Sequence, residues 1–540
     1  MTLSRALSAA LLATASVLAF GPACAAAPQN SGASDARLQA LEDQIQDLSN
    51  QVQDLKRSSG DQYTDIQNQQ ASAVKATISN GRPTIASADG DFSASIRALV
   101  QYDWGYYLQE SSAKTLPAAF GPDLSSGSNF RRVYLGLQGK LFGDWSYNLN
   151  FDFGGSGGTE TPGHVQSVYL QYDGLAPWAF RIGAFPPPSN IEDGTSSGDT
   201  IFLERNSPSN LQRGLAGGDG RDAISILYLG DRVFGALSYT GGKVQDSAVF
   251  DEQQALVGRL SYLLWSSPEA HFLIGANGTH IFKLPDAVAG GSPNLGNTPG
   301  ATALNAVTLS DPPEFTVDSN GIKLANTGAL AANRLTQWGV EAAGNISSFY
   351  AQAGYYGFQV DRAPIAFKTF TSATTSATTV VQPSNNTFSA WYVQATWLLT
   401  GESRAYNPVT GAFTPPKPAE PFHLAKGGWG AWELAARYSD LNLNSHRLDP
   451  ASVITNWTGA TTQTYTFYNT VRGGDQRIVT LGLNWYPNNA VRFAIDYQWI
   501  DVNRLQSPAT VTLASGTPVL PALNGGQNLQ TIALRAQFGF

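Results

Sequence analysis

The stretch FRRVYLGLQGKLFGDWSYNLNFDF, residues 130–153, contains two segments in which apolar and polar side chains alternate around a tight turn at residues 142–144. A period of two places successive side chains on opposite faces of a strand, so the stretch predicts a β-hairpin. One face of this hairpin is apolar and aromatic, and the other is polar and charged. The apolar face would pack on a second sheet in a soluble sandwich, or would face lipid in a membrane barrel.

About sixteen alternating segments of this kind follow one another from residue 92 onward. Connections after even-numbered segments are mostly short, whereas those after odd-numbered segments are long and rich in Gly, Ser, Thr, Asn and Pro; one connection, 401–427, should be short but is long. This asymmetry is typical of outer-membrane barrels, so we predict an all-β, antiparallel transmembrane barrel over residues 92–540 whose first and last strands pair. The segments are 92–108, 130–141, 144–154, 165–173, 178–185, 221–229, 232–240, 254–265, 269–281, 334–346, 347–360, 388–400, 428–442, 475–486, 489–503 and 528–540.

Composition and the N-terminus agree with a membrane destination outside the cytoplasm. A net charge of -8 with 14% charged residues argues against nucleic-acid binding. Residues 1–25 are typical of a signal peptide, with Arg5 before an apolar core and an A-x-A-like site at residues 23–25. A lipoprotein modification at Cys24 is the less favoured interpretation, because residues 21–23 match a lipobox poorly. We therefore expect the outer membrane of a Gram-negative bacterium, and cleavage would leave no cysteine.

A heptad pattern precedes the predicted barrel. Aliphatic residues spaced three and four apart over residues 35–57 form the a/d seam of a coiled coil, although a lone amphipathic helix would also fit. Residues 58–91 are polar and irregular and are interpreted as a linker. The seam residues are Leu38, Leu41, Ile45, Leu48, Val52 and Leu55.

If the apolar face of each strand meets lipid, alternation assigns the side chains that face the lumen. More of these are basic than acidic, which indicates a positive lumen that would attract small anionic solutes. The competing interpretation is that inward charges pair with one another and fill space. Arg131 falls on the lipid face by parity, so it lies at the rim or the strand is bulged there. The basic candidates are Arg97, Arg132, Lys140, Arg181, Arg259, Arg437, Arg492 and Arg535, and the acidic ones are Asp103, Asp152, Glu433 and Asp496.

The long connection at residues 186–220 is the third loop on the side of the long loops. It is more acidic than basic, and opposed charges on a loop and on the wall create a transverse field across a constriction. A general porin would share this feature with an anion-selective one. The charged residues are Glu192, Asp193, Asp199, Glu204 and Asp219 against Arg205 and Arg213.

Several motifs together resemble the phosphate-selective porin O/P family over most of residues 92–540. The resemblance implies a trimeric sixteen-stranded channel in outer-membrane lipid, with lumen arginines that lead anions to a constriction at the inward loop. Arg97, Arg131 and Arg132 match early arginines of that series, and the long turn after Thr400 matches as well. The motifs are FRR at 130–132, KLFGDW at 140–145, TSS at 195–197, FLER at 202–205, WLLTGE at 397–402, GAWELAARYS at 430–439, LGLNWY at 481–486 and RAQFGF at 535–540.

Two positions depart from the family pattern. Pro186 stands where members often carry lysine, and Gly198 stands where a basic residue is usual. The loss of positive charge there predicts a weak to moderate anion preference, including phosphate, without a tight phosphate site.

The sequence contains few signals of a catalytic or metal-binding site. The histidines lack metal-ligand spacing and no HExxH or CxxC motif occurs, so we expect neither a cofactor nor a metal. Three different functions are also compatible with a barrel: a barrel-embedded lipase, a general or cation-leaning diffusion porin, and a structural barrel whose coiled coil tethers the outer membrane to the cell wall. The histidines are His164, His271, His280, His423 and His446.

Overall fold

The structure is a computed structural model that describes most of the chain after residue 30. Contacts divide the chain into two compact units, residues 1–72 and 73–540. The signal peptide predicted at residues 1–25 lies outside the described residues. The described ranges are 31–72, 74–79, 81–109, 123–155, 162–246, 251–285, 305–370, 376–446, 451–458, 461–468, 470–504, 511–512, 518–519 and 526–540.

The first unit contains one long helix, α1, Ser31–Ser72. The predicted coiled coil lies inside it, and the seam side chains are exposed on the single chain, from 47% for Val52 to 68% for Leu55. The helix continues through residues 58–72, although the sequence predicts a linker there. These residues are mostly polar, include Gly60 and carry no apolar stripe, so they produce no amphipathic signal. No described helix is long and apolar enough to cross a membrane.

The second unit is a closed antiparallel barrel of 16 strands. All sixteen strands lie within a few residues of the predicted segments. They are β1 Ser93–Gln109, β2 Gly127–Leu141, β3 Trp145–Asp152, β4 His164–Leu175, β5 Trp178–Ala184, β6 Arg221–Leu229, β7 Val233–Lys243, β8 Gln254–Ser266, β9 Ala270–Lys283, β10 Leu330–Ile346, β11 Phe349–Arg362, β12 Asn386–Leu398, β13 Ala431–Ser445, β14 Val471–Tyr486, β15 Val491–Asn503 and β16 Gln527–Gly539.

Each strand pairs with the next along the chain. The last strand pairs with the first, from Leu529 opposite Gln109 to Gly539 opposite Leu99. This pairing confirms the predicted closure and leaves no unpaired edge between the barrel strands. Closure matters because an open edge cannot satisfy its backbone N–H and C=O groups in lipid.

The two faces of the barrel differ as the alternation predicts. On β16, Leu534 and Phe538 point outward and are exposed, while Thr531 and Arg535 are buried. The same pattern runs along β14 and β15. Polar side chains are therefore buried inside the barrel, where segments of the chain itself fill much of the lumen.

A hairpin precedes β1 within the predicted linker. Lys75–Ser79 pairs with Arg82–Ala86, whose Thr84 lies opposite Ser95 of β1. Residues 58–91 are therefore helix and hairpin in large part, not an irregular linker. Five-residue strands give too few alternations for the period of two to be recognised in the sequence.

Three segments enter the lumen. The lumen loop, residues 185–220, contains α2, Ile191–Gly194, and α3, Ser207–Ala216. The second insert, residues 305–329, follows β9, and the long turn, residues 399–430, follows β12. Short strand pairs in these inserts and in other loops are Ala306–Val307 with β10, Ser310–Asp311 with Ala325–Asn326, Ile365–Phe370 with Ser376–Val381, Tyr406–Asn407 with Ala412–Phe413, Ala451–Thr458 with Thr461–Tyr468, and Val511–Thr512 with Pro518–Val519.

Candidate functional site

The lumen loop is fixed to the barrel wall by hydrogen bonds from both helical parts. Asn190 caps α2 and Asn206 caps α3, each by accepting a hydrogen bond from a backbone N–H in the first turn. The Ile191 N–H donates to Glu341 of β10, and the carboxylate of Glu192 accepts from Gln352 and Gln394. These contacts hold the first part of the loop against the later strands β10, β11 and β12.

Four buried arginines on the strands, which we call the anchor arginines, attach the inserts to the wall. Each donates to backbone carbonyls of an insert, which would otherwise be buried without a partner. The acceptors are Thr410 and Gly411 for Arg259, Glu204 for Arg437, Thr200 and Ile201 for Arg492, and Leu203 for Arg535.

Three anchor arginines also form buried ion pairs. Arg535 lies 2.6 Å from Asp103 across the seam that closes the barrel. The other two pairs join Arg259 to Glu341 at 2.7 Å and Arg437 to Glu314 at 2.5 Å. A similar pair, Arg404 with Glu433 at 2.8 Å, holds the long turn.

These contacts correct the prediction that every inward arginine lines the pore. Arg259, Arg437 and Arg535 point inward, but they line none of three lumen cavities of about 950, 480 and 280 Å³. Lys140 lies exposed near the end of β2 and also lines none of them. The predicted inward carboxylates bind protein groups as well: Asp103 and Glu433 pair with arginines, Asp152 accepts from the Val133 N–H, and Asp496 accepts from the Leu203 N–H.

The second insert is also fixed to the barrel wall and to the lumen loop. Glu314, at a φ of 53°, accepts from Arg437, Ser439 and the Ser207 N–H. Phe315 packs so closely on β1 that a Cβ at Gly105 would lie 2.1 Å from its ring. A glycine is therefore required at that position, and the insert closes part of the lumen.

A β-bulge places two adjacent arginines on the inner face of β2. Gln101 lies opposite Arg132 while Tyr102 lies opposite Phe130, so Arg131 is the extra residue. Arg131 lies 2.6 Å and Arg132 3.6 Å from the carboxylate of Glu204 on the lumen loop. Of the two placements open to Arg131 in the sequence, the bulge is the one observed.

Glu204 is surrounded by positive charge. Arg535 lies 3.2 Å from it, in addition to the two arginines of the bulge. Burial alone would oppose its ionisation, but these three guanidinium groups outweigh burial and hold the pKa of Glu204 well below its usual range. The carboxylate is therefore charged at neutral pH and neutralises much of the arginine cluster around it.

Three cavities lie in series between the lumen loop and the opposite wall. The upper cavity, about 950 Å³, opens toward the long loops, and the lower one, about 480 Å³, toward the short turns. The middle cavity is the smallest, at about 280 Å³. It shares Arg205 and Arg213 with the upper cavity, and Arg97, Ser196 and Asp199 with the lower one. Shared lining residues indicate one passage, and its smallest cavity, which we call the narrow part, lies at the lumen loop.

Arg97 and Arg181, which we call the path arginines, line the middle cavity and differ from the anchor arginines. Arg181 donates to Gln171 and lies over the ring of Tyr169 at 4.2 Å, and Arg97 reaches only the hydroxyl of Ser196, at 3.4 Å. Within the described residues neither forms an ion pair. Both leave donors directed toward the passage.

The balance of charged side chains changes along the passage. Seven basic and seven acidic side chains line the upper cavity. The middle cavity has four basic, Arg97, Arg181, Arg205 and Arg213, against Asp193 and Asp199. The lower cavity has four basic, Arg82, Arg97, Lys417 and Arg492, against Asp199. The positive excess therefore begins at the narrow part and continues to the exit at the short turns.

The acidic residues of the lumen loop differ in how strongly they oppose this excess of positive charge. Arg213 pairs with both Asp193 and Asp219, at 2.5 Å each. Asp199 forms no ion pair within the described residues, and burial raises its pKa although Arg97, Arg404 and Arg492 act in the opposite direction. Asp199 is therefore the carboxylate with the most influence on ions in the narrow part.

Some residues of the site were outside the reach of sequence analysis. Arg82 and Lys417 come from the hairpin and the long turn, which carry no strand-like pattern of sufficient length. Glu314 lies in a long loop and gives no periodic signal. Glu341 could have been found, because it alternates with Gln337 and Ala343 on the inner face of β10. Pro186 lines the middle cavity and Gly198 the lower one, so both departures from the family pattern lie on the passage.

Comparison with known proteins gives the family. The sequence profile described as "Phosphate-selective porin O and P" matches residues 119–519. The chain is 24% identical to Porin O of Pseudomonas aeruginosa over 423 residues, which cover 76% of this chain and 84% of that protein. Among solved structures, the chain matches OmpT of Vibrio cholerae in its trimer form, with 11% identity over 83% of this chain and 99% of that one and a TM-score of 0.42. It also matches an anion-selective porin from Comamonas acidovorans, with 11% identity over 83% of this chain and 100% of that one and a TM-score of 0.43. The chain belongs to the phosphate-selective porin O and P family.

Proposed function

We propose that the protein is an outer-membrane channel for passive diffusion of small solutes, with a weak to moderate preference for anions. The observation that carries this proposal is the pair of path arginines, which line the smallest of the three cavities without a carboxylate partner among the described residues. An unpaired positive charge in a narrow, low-dielectric passage raises the local concentration of anions and lowers that of cations. Guanidinium groups also offer a planar set of donors that suits carboxylate and phosphate.

The same geometry argues against a tight phosphate site. A desolvated phosphate needs several convergent donors to replace its water shell. In the narrow part, Arg205 donates to the carbonyls of Glu192 and Thr195, and Arg213 is held by two carboxylates. Pro186 and Gly198 add no side-chain donors. Phosphate should therefore pass as one anion among others.

Reversal potentials of the purified protein in planar bilayers with asymmetric potassium chloride test the anion preference. We expect a reversal potential of the sign that chloride permeation gives. This potential should become smaller as the salt concentration is raised, because salt screens the charges of the arginines. Micromolar phosphate should not reduce the chloride conductance. A cation-selective channel would overturn the anion proposal, and a saturable micromolar block would overturn the weak-site proposal alone.

The same recordings distinguish an anion channel from a general porin and from a structural barrel. An unselective channel indicates a general porin, in which the transverse field of the lumen loop dominates. Absence of steady conductance would favour a structural barrel that tethers the outer membrane through α1. Both results differ from the expected anion-selective conductance.

We also propose a homotrimer in the outer membrane of a Gram-negative bacterium, exported by a signal peptide at residues 1–25. The family resemblance supports the trimer, whereas the α1 seam, with Leu, Ile and Val at a and Leu at d, by itself favours a dimer. We give the barrel more weight than a short seam. Deletion of residues 35–60 should leave the trimer and its conductance intact in native gels and bilayer recordings. Loss of the trimer would show that the coiled coil is what assembles it.

A further inference from the structure

The long turn at residues 399–430 divides into two lobes with different surroundings. The inner lobe, residues 404–414, lies in the lumen, where the carbonyls of Thr410 and Gly411 accept from Arg259. The outer lobe, residues 420–430, lies on the outward side of the wall beside the turn between β14 and β15. Contacts inside the lumen explain the position of the inner lobe. They do not explain the role of the outer lobe.

Backbone hydrogen bonds give the outer lobe a defined structure. The Phe422 N–H donates to the Pro487 carbonyl at 2.7 Å, and the Gly430 N–H donates to the Glu420 carbonyl at 3.1 Å. The indole N–H of Trp485 donates to the Trp429 carbonyl at 2.9 Å. The lobe is therefore bonded at both ends to neighbouring barrel backbone or side chains.

The outer lobe continues an aromatic row on the outward face. Trp485 and Trp432 stack with ring centroids 5.5 Å apart, and Phe493 stacks on the other side of Trp485 at 5.5 Å. The ring of Phe422 meets the edge of Trp485 at 5.3 Å. Tryptophan and other aromatic residues form such belts where a barrel passes from the hydrocarbon to the polar boundary of the membrane.

Apolar side chains of the outer lobe project beyond this row. Leu424 is 89% exposed, more than any other large apolar side chain in the described part of the chain, and Trp429 is 72% exposed. Full burial of a leucine side chain is worth about 1.5–3 kcal/mol. A fixed turn that presents such residues indicates a surface that is covered in the working protein. Two basic residues of the outer lobe, His423 and Lys426, accompany them, against one carboxylate, Glu420.

We propose that the outer lobe is a lipid-docking site that inserts Leu424 and Trp429 into the interfacial region of the leaflet facing the short turns. Continuity with the outward aromatic row favours lipid over a protein partner. Lys426 beside the apolar tip suits the phosphate of a phospholipid headgroup. One turn of the chain thus contacts the membrane with its outer lobe and the narrow lumen with its inner lobe.

Site-directed fluorescence on the mature protein in phospholipid vesicles tests this proposal. An environment-sensitive fluorophore is attached at Leu424→Cys, which supplies the one thiol of the mature chain because Cys24 leaves with the signal peptide. The matched control is Val409→Cys, which is 58% exposed on the inner lobe, and Leu434→Cys on the outward face of β13 is the lipid-embedded reference. Nitroxide phospholipids labelled near the headgroup or at the chain end serve as quenchers.

We expect at least roughly twofold quenching at position 424 by the headgroup-proximal nitroxide, weaker quenching by the chain-end nitroxide, and a blue-shifted emission. Position 409 should show neither effect, and position 434 should be quenched more by the chain-end label. A water-like emission at 424 without quenching would overturn the proposal. Cross-links between subunits through Leu424→Cys, together with lack of quenching, would also overturn it and would assign the lobe to an interface between copies.

Discussion

The anchor arginines and the path arginines occupy the same barrel and carry the same charge, but they differ in their acceptors. Arg535 is buried, lies 2.6 Å from Asp103 and donates to a backbone carbonyl of the lumen loop. Arg181 is half-buried and has one side-chain acceptor, Gln171. An arginine whose donors are taken by the protein determines where an insert sits. An arginine with free donors in a cavity determines which ions enter it.

This difference leads to separable consequences for stability and selectivity. Removal of an anchor leaves a buried carboxylate and buried carbonyls without partners, which is costly for the fold. Removal of a path arginine leaves no buried charge without a partner and changes the field in the passage. Arginine is replaced by methionine in both groups, so that the loss of charge and the change in side-chain size are the same in each.

The largest effect is expected for Arg535→Met, which should lower the free energy of unfolding by about 3–5 kcal/mol because Asp103 stays buried without its partner. Urea unfolding of the barrel reconstituted in lipid measures the change. Arg97→Met is the control and should stay within about 0.5 kcal/mol of wild type.

A double variant addresses the possibility that Arg535→Met destabilises merely by creating a cavity. Asp103→Asn combined with Arg535→Met should recover part of the loss, since the uncompensated charge is gone. Equal instability of the single and double variants would contradict the assignment of Arg535 as an ionic anchor.

The next effect concerns selectivity. Arg97→Met with Arg181→Met should lower the anion-to-cation permeability ratio by about two- to fivefold per charge at 0.1 M salt, equivalent to about 0.5–1 kcal/mol each. Reversal potentials measure the ratio. Lys140→Met is the matched control, because it removes a positive charge that lines none of the three cavities.

Arg132→Met tests whether a paired arginine affects ion selectivity less than an unpaired one. Arg132 faces the upper cavity but shares Glu204 with Arg131 and Arg535, so its charge is partly neutralised. We expect a smaller shift in reversal potential than for Arg97→Met. A larger shift would show that paired and unpaired arginines act alike on passing ions.

The smallest effect is a pH dependence from Asp199. Burial raises the pKa of this carboxyl, so it takes up a proton at a higher pH than an ordinary aspartate as the solution is acidified. Protonation removes a negative charge from the passage, so anion preference should increase as pH falls. Asp199→Asn should show the low-pH selectivity at neutral pH and lose this part of the pH dependence; an unchanged profile in that variant would assign the dependence to another group.

The barrel could be predicted from sequence because its strands follow a local rule. A side chain such as Arg259 faces inward because of its position within a short alternating segment. For Arg131 the same rule left two placements open, the rim or a bulge, and the structure shows the bulge. The interpretation in which inward charges pair with one another describes the anchor arginines, and the positive-lumen interpretation describes the path arginines.

The contents of the lumen could not be predicted because they depend on contacts that are distant in sequence. Glu314 accepts from Arg437 across 123 residues, and nothing in the loop around Glu314 marks it as a partner. Which arginines are anchors is decided by where the inserts lie, and the inserts have no periodic pattern. Alternation fixes the side of the wall on which a residue lies but not what occupies the space in front of it.

The surroundings of Glu204 have a consequence for the order of assembly. Its partners come from β2 and from β16, the latter 331 residues further along the chain. Closing so long a loop of chain is entropically costly and comes late in folding. Glu204 therefore gains its full set of arginine partners only when the last strand has joined the first. The charge balance beside the passage is thus completed together with the wall of the barrel.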